Sequence, residues 1–194
     1  MKTKSFIVLS AFLVSAIYSA YGQTGSALKT GDKLPVFTAL DDNGKNWSAG
    51  DFIGKKIIVI YFYPAAMTSG CTSQACGYRD NQAQLAAANT IVVGISGDEV
   101  ENLKLFKKAH NLNFTLLSDK DGSIARQFGV PLSAGGFIEQ DIEGIKQQLN
   151  RGVTASRWTF IADKDGEIRY INRSVDAAND SKNILDVIQE LKLK

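Results

Sequence analysis

The sequence predicts an α/β protein, a central mixed β-sheet flanked by helices with an N-terminal hairpin. Three observations predict it. Two apolar runs, Ile57 to Tyr63 and Ile91 to Ser96, are nearly continuous in β-branched and aromatic residues, the pattern of strands buried on both faces. These runs alternate with segments of helical periodicity, and such alternation requires crossover connections and a partly parallel sheet. Asp41-Asp42-Asn43-Gly44 and Asp163-Lys164-Asp165-Gly166 each separate two short strand-like runs, which is the signature of a hairpin turn.

The elements follow in order. Residues 1–22 stand apart: Lys2 and Lys4 precede an apolar stretch, Phe6 to Ile17, too short to span a bilayer comfortably. Ala20-Tyr21-Gly22 fits a small-x-small cleavage site, so residues 1–22 read as a secretory signal peptide cut before Gln23; an uncleaved anchor is the alternative. Residues 23–30 are small and polar, a linker, and 31–194 form one domain. Val36 to Leu40 and Lys45 to Trp47 are the arms of the first hairpin. After the central strand, residues 69–88 read as a helix ending in Leu85-Ala86-Ala87-Ala88. Val100 to His110 is an amphipathic helix with Leu103, Phe106 and His110 on its apolar face. Thr115 to Leu117 is a short strand and Ser123 to Phe128 a short helix. In the segment 132–156, Ile138, Ile142, Ile145 and Leu149 recur at helical spacing, which predicts an inserted helix, a candidate lid or partner surface just before Arg157. Trp158 to Ala162 and Ile168 to Ile171 flank the second hairpin turn, and Ile184 to Leu193 closes the chain as an amphipathic helix.

Composition narrows the function classes. With 194 residues, 44% apolar and 22% charged, the chain can bury a core without disulfide staples. Residues 1–22 hold two lysines and no acid, so the 22 basic residues of the whole chain fall to 20 without them, matching the 20 acidic ones. Nothing in that balance argues for nucleic acid or an anionic membrane as a partner. A structural zinc site usually takes four Cys or His ligands, and two cysteines with one histidine nearly exclude it.

The chemistry concentrates at Cys71 and Cys76. Strand-like residues end at Pro64, and Thr68-Ser69-Gly70 offers N-cap chemistry for a following helix. A cysteine in a first helical turn faces unpaired N–H groups and the positive end of the dipole, both of which favour thiolate. On one α-helix, residues five apart are separated by about 7.5 Å of rise and about 140° of rotation, or roughly 8.7 Å between Cα atoms. A disulfide needs less than about 7 Å. The pair therefore reads as apart when reduced and bonded only after local unwinding. A structural bridge in a loop that was never helical is the competing reading.

Pro64-x-x-x-Thr68-x-x-Cys71 matches the peroxidatic motif of peroxiredoxins. Cys71-Thr72-Ser73-Gln74-Ala75-Cys76-x-Tyr78-Arg79-Asp80 resembles the PrxQ/bacterioferritin-comigratory-protein branch, and Arg157-Trp158-Thr159-Phe160-Ile161-Ala162-Asp163 resembles its second block. The resemblance covers about residues 30–191. It implies a thioredoxin-like fold and a peroxidase acting on hydrogen peroxide or small organic hydroperoxides. Cys71 would be the peroxidatic thiolate, and Cys76 would resolve its sulfenic acid as a redox-active disulfide. Thr68 would bond thiolate and peroxide, and Pro64 would shield them from water. The N–H groups of Gly70 and Cys71 would bind peroxide oxygens, and Arg157 would hold thiolate and peroxide together. A thioredoxin-like reductant would reset the enzyme, and no cofactor or metal is implied. The chain would be exported, periplasmic or secreted, off the membrane once the leader is cut, and a monomer or weak dimer.

Three features depart from the branch: Gln74 stands where a glutamate is common, Ala65-Ala66 replace usually charged residues, and the segment Leu132 to Ser156 is longer than the usual connection. Arg79 reads equally as site support or as a surface ion pair. Two rivals share the fold. A thiol-disulfide exchange or copper-delivery protein would want C-x-x-C or C-x-x-x-C spacing, which this pair lacks. A redox sensor would use the same cysteine switch to signal to a partner.

Overall fold

The computed structural model describes residues 27–142 and 144–192. The signal-peptide reading of residues 1–22 lies outside them, as do residues 23–26 of the expected linker. Residues 27–30 are a correction to that linker, because they dock on the body. The Leu28 N–H donates to the Phe128 carbonyl at 3.4 Å, and Arg173 Nη2 donates to the Leu28 carbonyl at 2.9 Å. Leu28 also offers an apolar side chain that packs on the core.

Strands β1 (Thr38–Asp41) and β2 (Asn46–Ser48) form the expected N-terminal hairpin, turned at Gly44 with φ +74°. The chain continues through β3 (Ile57–Phe62), α1 (Ser69–Asp80), α2 (Gln82–Ala87), β4 (Thr90–Ser96), α3 (Val100–His110), β5 (Thr115–Ser118) and α4 (Ser123–Phe128). It ends with β6 (Leu132–Ile142), β7 (Ile145–Ala155), β8 (Trp158–Ala162), β9 (Ile168–Asn172) and α5 (Asp180–Lys192). Among the described residues the main sheet orders its strands β2-β1-β5-β4-β3-β8-β9. β3 pairs in parallel with β4, β4 with β5, while β8 runs antiparallel to β3. This is the mixed, helix-flanked sheet the alternation predicts.

β3 shows why the sheet is two-sided. Val59, Tyr61 and Tyr63 join one core with residues of α1, α2, α3 and α5, whereas Ile58, Ile60 and Phe62 join a second core under α4. The side-chain period of two sends alternate residues to opposite faces. At about 1.5–3 kcal/mol per large apolar side chain, that double burial explains why an almost unbroken apolar run sits at the sheet centre.

Two expected elements differ. The helix of residues 69–88 is two helices broken at Asn81, whose Nδ2 donates to the Gly77 carbonyl at 2.9 Å and to Ser181 Oγ at 3.0 Å. A side chain that bonds nearby backbone competes with helix continuation. The inserted helix of residues 132–156 is instead a β-hairpin of β6 and β7. Ile138 lies opposite Leu149, and Ile142 opposite Ile145. A hairpin that turns at Gly144, with φ +82°, and pairs Ile142 with Ile145 places its apolar pairs at the same sequence spacing as a helix face. Periodicity alone cannot separate the two.

Candidate active site

The site is built where β3 gives way to α1. The Tyr63 N–H still donates to the Ile95 carbonyl at 3.1 Å; Pro64, with no N–H, ends the ladder. The loop then turns through Met67, a non-glycine residue at φ +65°, a conformation that costs free energy and needs support. Support comes from two sides. The Ala66 N–H donates to Asp98 Oδ2 at 2.8 Å, and Gln140 Nε2 of β6 donates to the Met67 carbonyl at 3.4 Å. Asp98 Oδ2 also accepts from Ser96 Oγ at 2.7 Å; burial pushes the Asp98 pKa up, against the pull of these donors and of Arg151. A cleft of about 380 Å³ opens beside this loop, bounded by Met67, Leu105, Ala109 and Ile142.

Thr68 takes the N-cap position with extended backbone, φ −78° and ψ 151°, yet its side chain does not cap. Its hydroxyl donates to the Ala65 carbonyl at 2.9 Å, which commits the proton and leaves the oxygen free to accept. The N–H groups of the first turn, those of Gly70 and Cys71 among them, have no acceptor within the helix. Cys71 lies in that turn, 1% exposed. Arg157, between β7 and β8, brings Nη2 to 3.3 Å from Cys71 Sγ. Gly70 lies beneath the guanidinium: a Cβ there would come within 3.4 Å of Nη2. Thr68, Gly70, Cys71 and Arg157 are thus gathered around one helix start, and Pro64 begins the loop that leads from β3 into it.

Cys76 is half-buried, and both thiols are free. Both lie on the continuous helix α1, which removes the reading of a bridge in a loop that was never helical. Arg79, three residues on, makes the ion pair that is one of its two readings and ties α1 to the end of α3. Its Nε pairs with Asp80 at 2.8 Å and its Nη1 donates to the His110 carbonyl at 2.7 Å. Asp80 chiefly, with the Cys76 sulfur behind it, raises the Arg79 pKa. His110 packs edge-on against Phe106 at 5.3 Å, and burial and then Arg79 lower its pKa, consistent with a packing role.

Sequence reasoning missed the far side of the site. Gln74 is fully buried; its Oε1 accepts from Arg157 Nη1 at 2.6 Å and its Nε2 donates to Asp180 Oδ2 at 2.7 Å. Asp180 opens α5 and is also fully buried, accepting on the same oxygen from Tyr78 Oη at 2.6 Å and Thr159 Oγ1 at 2.9 Å. Burial, followed by the Asp180 charge, pushes the Tyr78 pKa well up, so that phenol stays a donor. Tyr61 is raised too, by burial first and then by Cys71 and Asp180, while Arg157 pulls the other way. No spacing rule links positions 74 and 180. An aspartate in a first helical turn is ordinary, so the sequence carries no signal for this contact. Among the described residues no three His, Cys, Asp or Glu side chains are arranged to hold a metal ion.

Comparison with known proteins gives a consistent answer. The AhpC/TSA family profile matches residues 30–171. Peroxiredoxin Bcp of Escherichia coli (strain K12) is 39% identical over 163 residues, covering 84% of this chain and 97% of that protein. Peroxidoxin BcpB of Mycobacterium tuberculosis superposes with a TM-score of 0.70 at 28% identity, covering 84% of this chain and 98% of that one. The bacterioferritin comigratory protein of Xanthomonas campestris, studied for its alkyl peroxide reduction activity, superposes with a TM-score of 0.67 over 82% of this chain and 99% of its own. At 22% identity, that last likeness concerns the fold.

Proposed function

This chain belongs to the AhpC/TSA family and is a peroxiredoxin, and from that premise we propose that it reduces peroxides through Cys71 and resolves the product with Cys76. The observation that carries the assignment of Cys71 is the 3.3 Å contact between its sulfur and Arg157 Nη2 at a helix start. The guanidinium cannot lose its proton, so it presents a fixed positive charge to thiolate and to the incoming peroxide. The Cys71 thiolate attacks the terminal peroxide oxygen, the O–O bond breaks, and the alcohol or water leaves with a proton. Cys71 becomes a sulfenic acid. In this reading the Thr68 oxygen, its own proton held by the Ala65 carbonyl, accepts from the peroxide O–H. The free N–H groups of the first turn offer preorganised donors where negative charge develops.

The Cys76 thiolate then attacks the Cys71 sulfur, hydroxide leaves and takes a proton, and the disulfide forms. Because both residues lie on α1, this step requires that helix to unwind. A dithiol reductant of thioredoxin type restores the thiols by exchange. Hydrogen peroxide and small organic hydroperoxides are the substrate class. Export to a periplasmic or extracellular compartment rests on the residue 1–22 leader, with a monomer or weak dimer as the working species. An intact Met1 on the exported protein would remove the cleavage reading.

Stopped-flow oxidation of the reduced protein by hydrogen peroxide tests the assignment. Cys71→Ser should be inert, Arg157→Ala slower by about a hundredfold, the scale of a lost electrostatic stabiliser, and Cys76→Ser should stop at sulfenic acid. Wild-type speed in Cys71→Ser would end the proposal.

A further inference from the structure

We propose that Asp180 is a positioning residue for this centre: acting through Gln74, it supplies from α5 the anionic anchor that sets Arg157 against the Cys71 sulfur. The proposal rests on the reading of Cys71 as the reacting thiol, and it concerns a residue 109 positions away that no motif reaches.

Hydrogen-bond grammar fixes the relay. A carboxylate only accepts and a guanidinium only donates. The amide of Gln74 lies between one of each, at 2.7 Å from Asp180 Oδ2 and 2.6 Å from Arg157 Nη1. Only one amide orientation satisfies both contacts, with Nε2 toward Asp180 and Oε1 toward Arg157. A neutral amide at position 180 could turn either its oxygen or its NH2 to Gln74, so Gln74 would be free to flip and present its own NH2 to the guanidinium, which would push Arg157 off the sulfur. Asp180 itself has nowhere to go. It is fully buried, Tyr78 and Thr159 fasten the same oxygen, and its Oδ1 has no partner among the described residues.

The arrangement differs in charge from a direct carboxylate at position 74. There, an anion touching Arg157 would offset its field at the sulfur. Here a neutral amide touches it, and the anion sits one side chain further off. Arg157 is held in place while most of its charge remains available to thiolate and peroxide.

The test uses the full chain with Cys76→Ser as background, so that only the Cys71 thiolate is read. Asp180→Asn should lower the thiolate ultraviolet absorbance at neutral pH. It should slow oxidation by hydrogen peroxide about tenfold, the scale of one charge-assisted hydrogen bond. The pair Gln74→Glu with Asp180→Asn moves the anion into direct contact with Arg157, which again fixes the guanidinium against the sulfur, and should bring the rate back to within about threefold of the background protein, the remaining gap being the part of the Arg157 field that the touching anion offsets. A purely structural role for Asp180 would lower the melting temperature and leave absorbance and rate alone, which overturns the proposal; so does a rate loss that the paired change fails to recover. Should Asp180→Asn not fold, Gln74→Met cuts the same link while leaving Tyr78 and Thr159 on Asp180, and an unchanged absorbance and rate there also overturns it. Failure of the peroxidase reading is a separate result: the background protein itself would not react, whereas thiolate absorbance still reports on the relay.

Discussion

At the scale of single residues, the active-site loop depends on a buried carboxylate that the sequence gives no reason to notice. Asp98 fastens the Ala66 N–H beside the strained Met67, and faces Ser96, Tyr63 and Arg151. Burial raises its pKa above the ordinary 3.8 despite those partners. The folded state therefore holds this proton more tightly than the unfolded chain does. The Asp98 contribution to stability is full below 3.8 and is lost as pH rises through the folded-state value. Asp98→Asn keeps an acceptor for Ala66 and Ser96 but removes the titration. Thermal melts across the acid range should show the wild type losing ground to Asp98→Asn as pH rises; a constant gap would refute the linkage. The contrast with Cys71 and Arg157 explains what was legible. Cysteine is rare here, and its setting between Pro64, Thr68 and a helix start is local, so sequence reveals it. Asp98, Gln74 and Asp180 are common residue types whose meaning lies in partners 32 and 106 positions away, set only by the sheet and the α1–α5 packing.

At the scale of elements, the central strands of the main sheet are readable as short unbroken apolar runs between segments of helical period, while the β6–β7 hairpin is not, because its cross-strand pairs mimic a helix face. That hairpin matters to the site through Gln140 near its tip and also through its base. The Gly152 N–H donates to the Gly97 carbonyl at 2.9 Å, Asn102 Nδ2 donates to the Asn150 carbonyl at 2.7 Å, and Arg151 bridges opposite Asp98. The turn that carries Asp98 is thus clamped between β4, α3 and β7. Gly97 makes the close approach possible, since a Cβ there would run into the Val153 carbonyl. Gly97→Ala should pry β7 from this turn and cost about 1–3 kcal/mol, as overpacking does. It should also slow peroxide oxidation several-fold, because the turn holds Ala66 through Asp98. Melting temperature and single-turnover rate, measured on the same samples, check both halves. Loss of stability with an unchanged rate would mean that the hairpin base and the catalytic loop are independent.

At the scale of the whole molecule, the resolving step should set the catalytic cycle against the fold. Closing the six-residue loop from Cys71 to Cys76 restricts the unfolded chain by only about 2 kcal/mol, because the gain grows with loop length. Forming it means unwinding α1 across Gln74 and up to the turn that carries Tyr78, and both side chains are bonded to buried Asp180 of α5. Hydrogen bonds to a charged group contribute about 1.5–3 kcal/mol each, and a buried carboxylate stripped of donors costs more. The Arg157 contacts with Cys71 and Gln74 go as well. The losses exceed the gain, so the oxidised protein should melt at a lower temperature than the reduced one, the reverse of an ordinary structural disulfide. Circular dichroism should fall on oxidation, and protease should cut near residues 71–80 only in the oxidised form. Cys76→Ser, which cannot close the loop, should show neither change. A higher melting temperature after oxidation would mean that α1 survives bridging, and that the separation set by its helical geometry is not what keeps the two thiols apart.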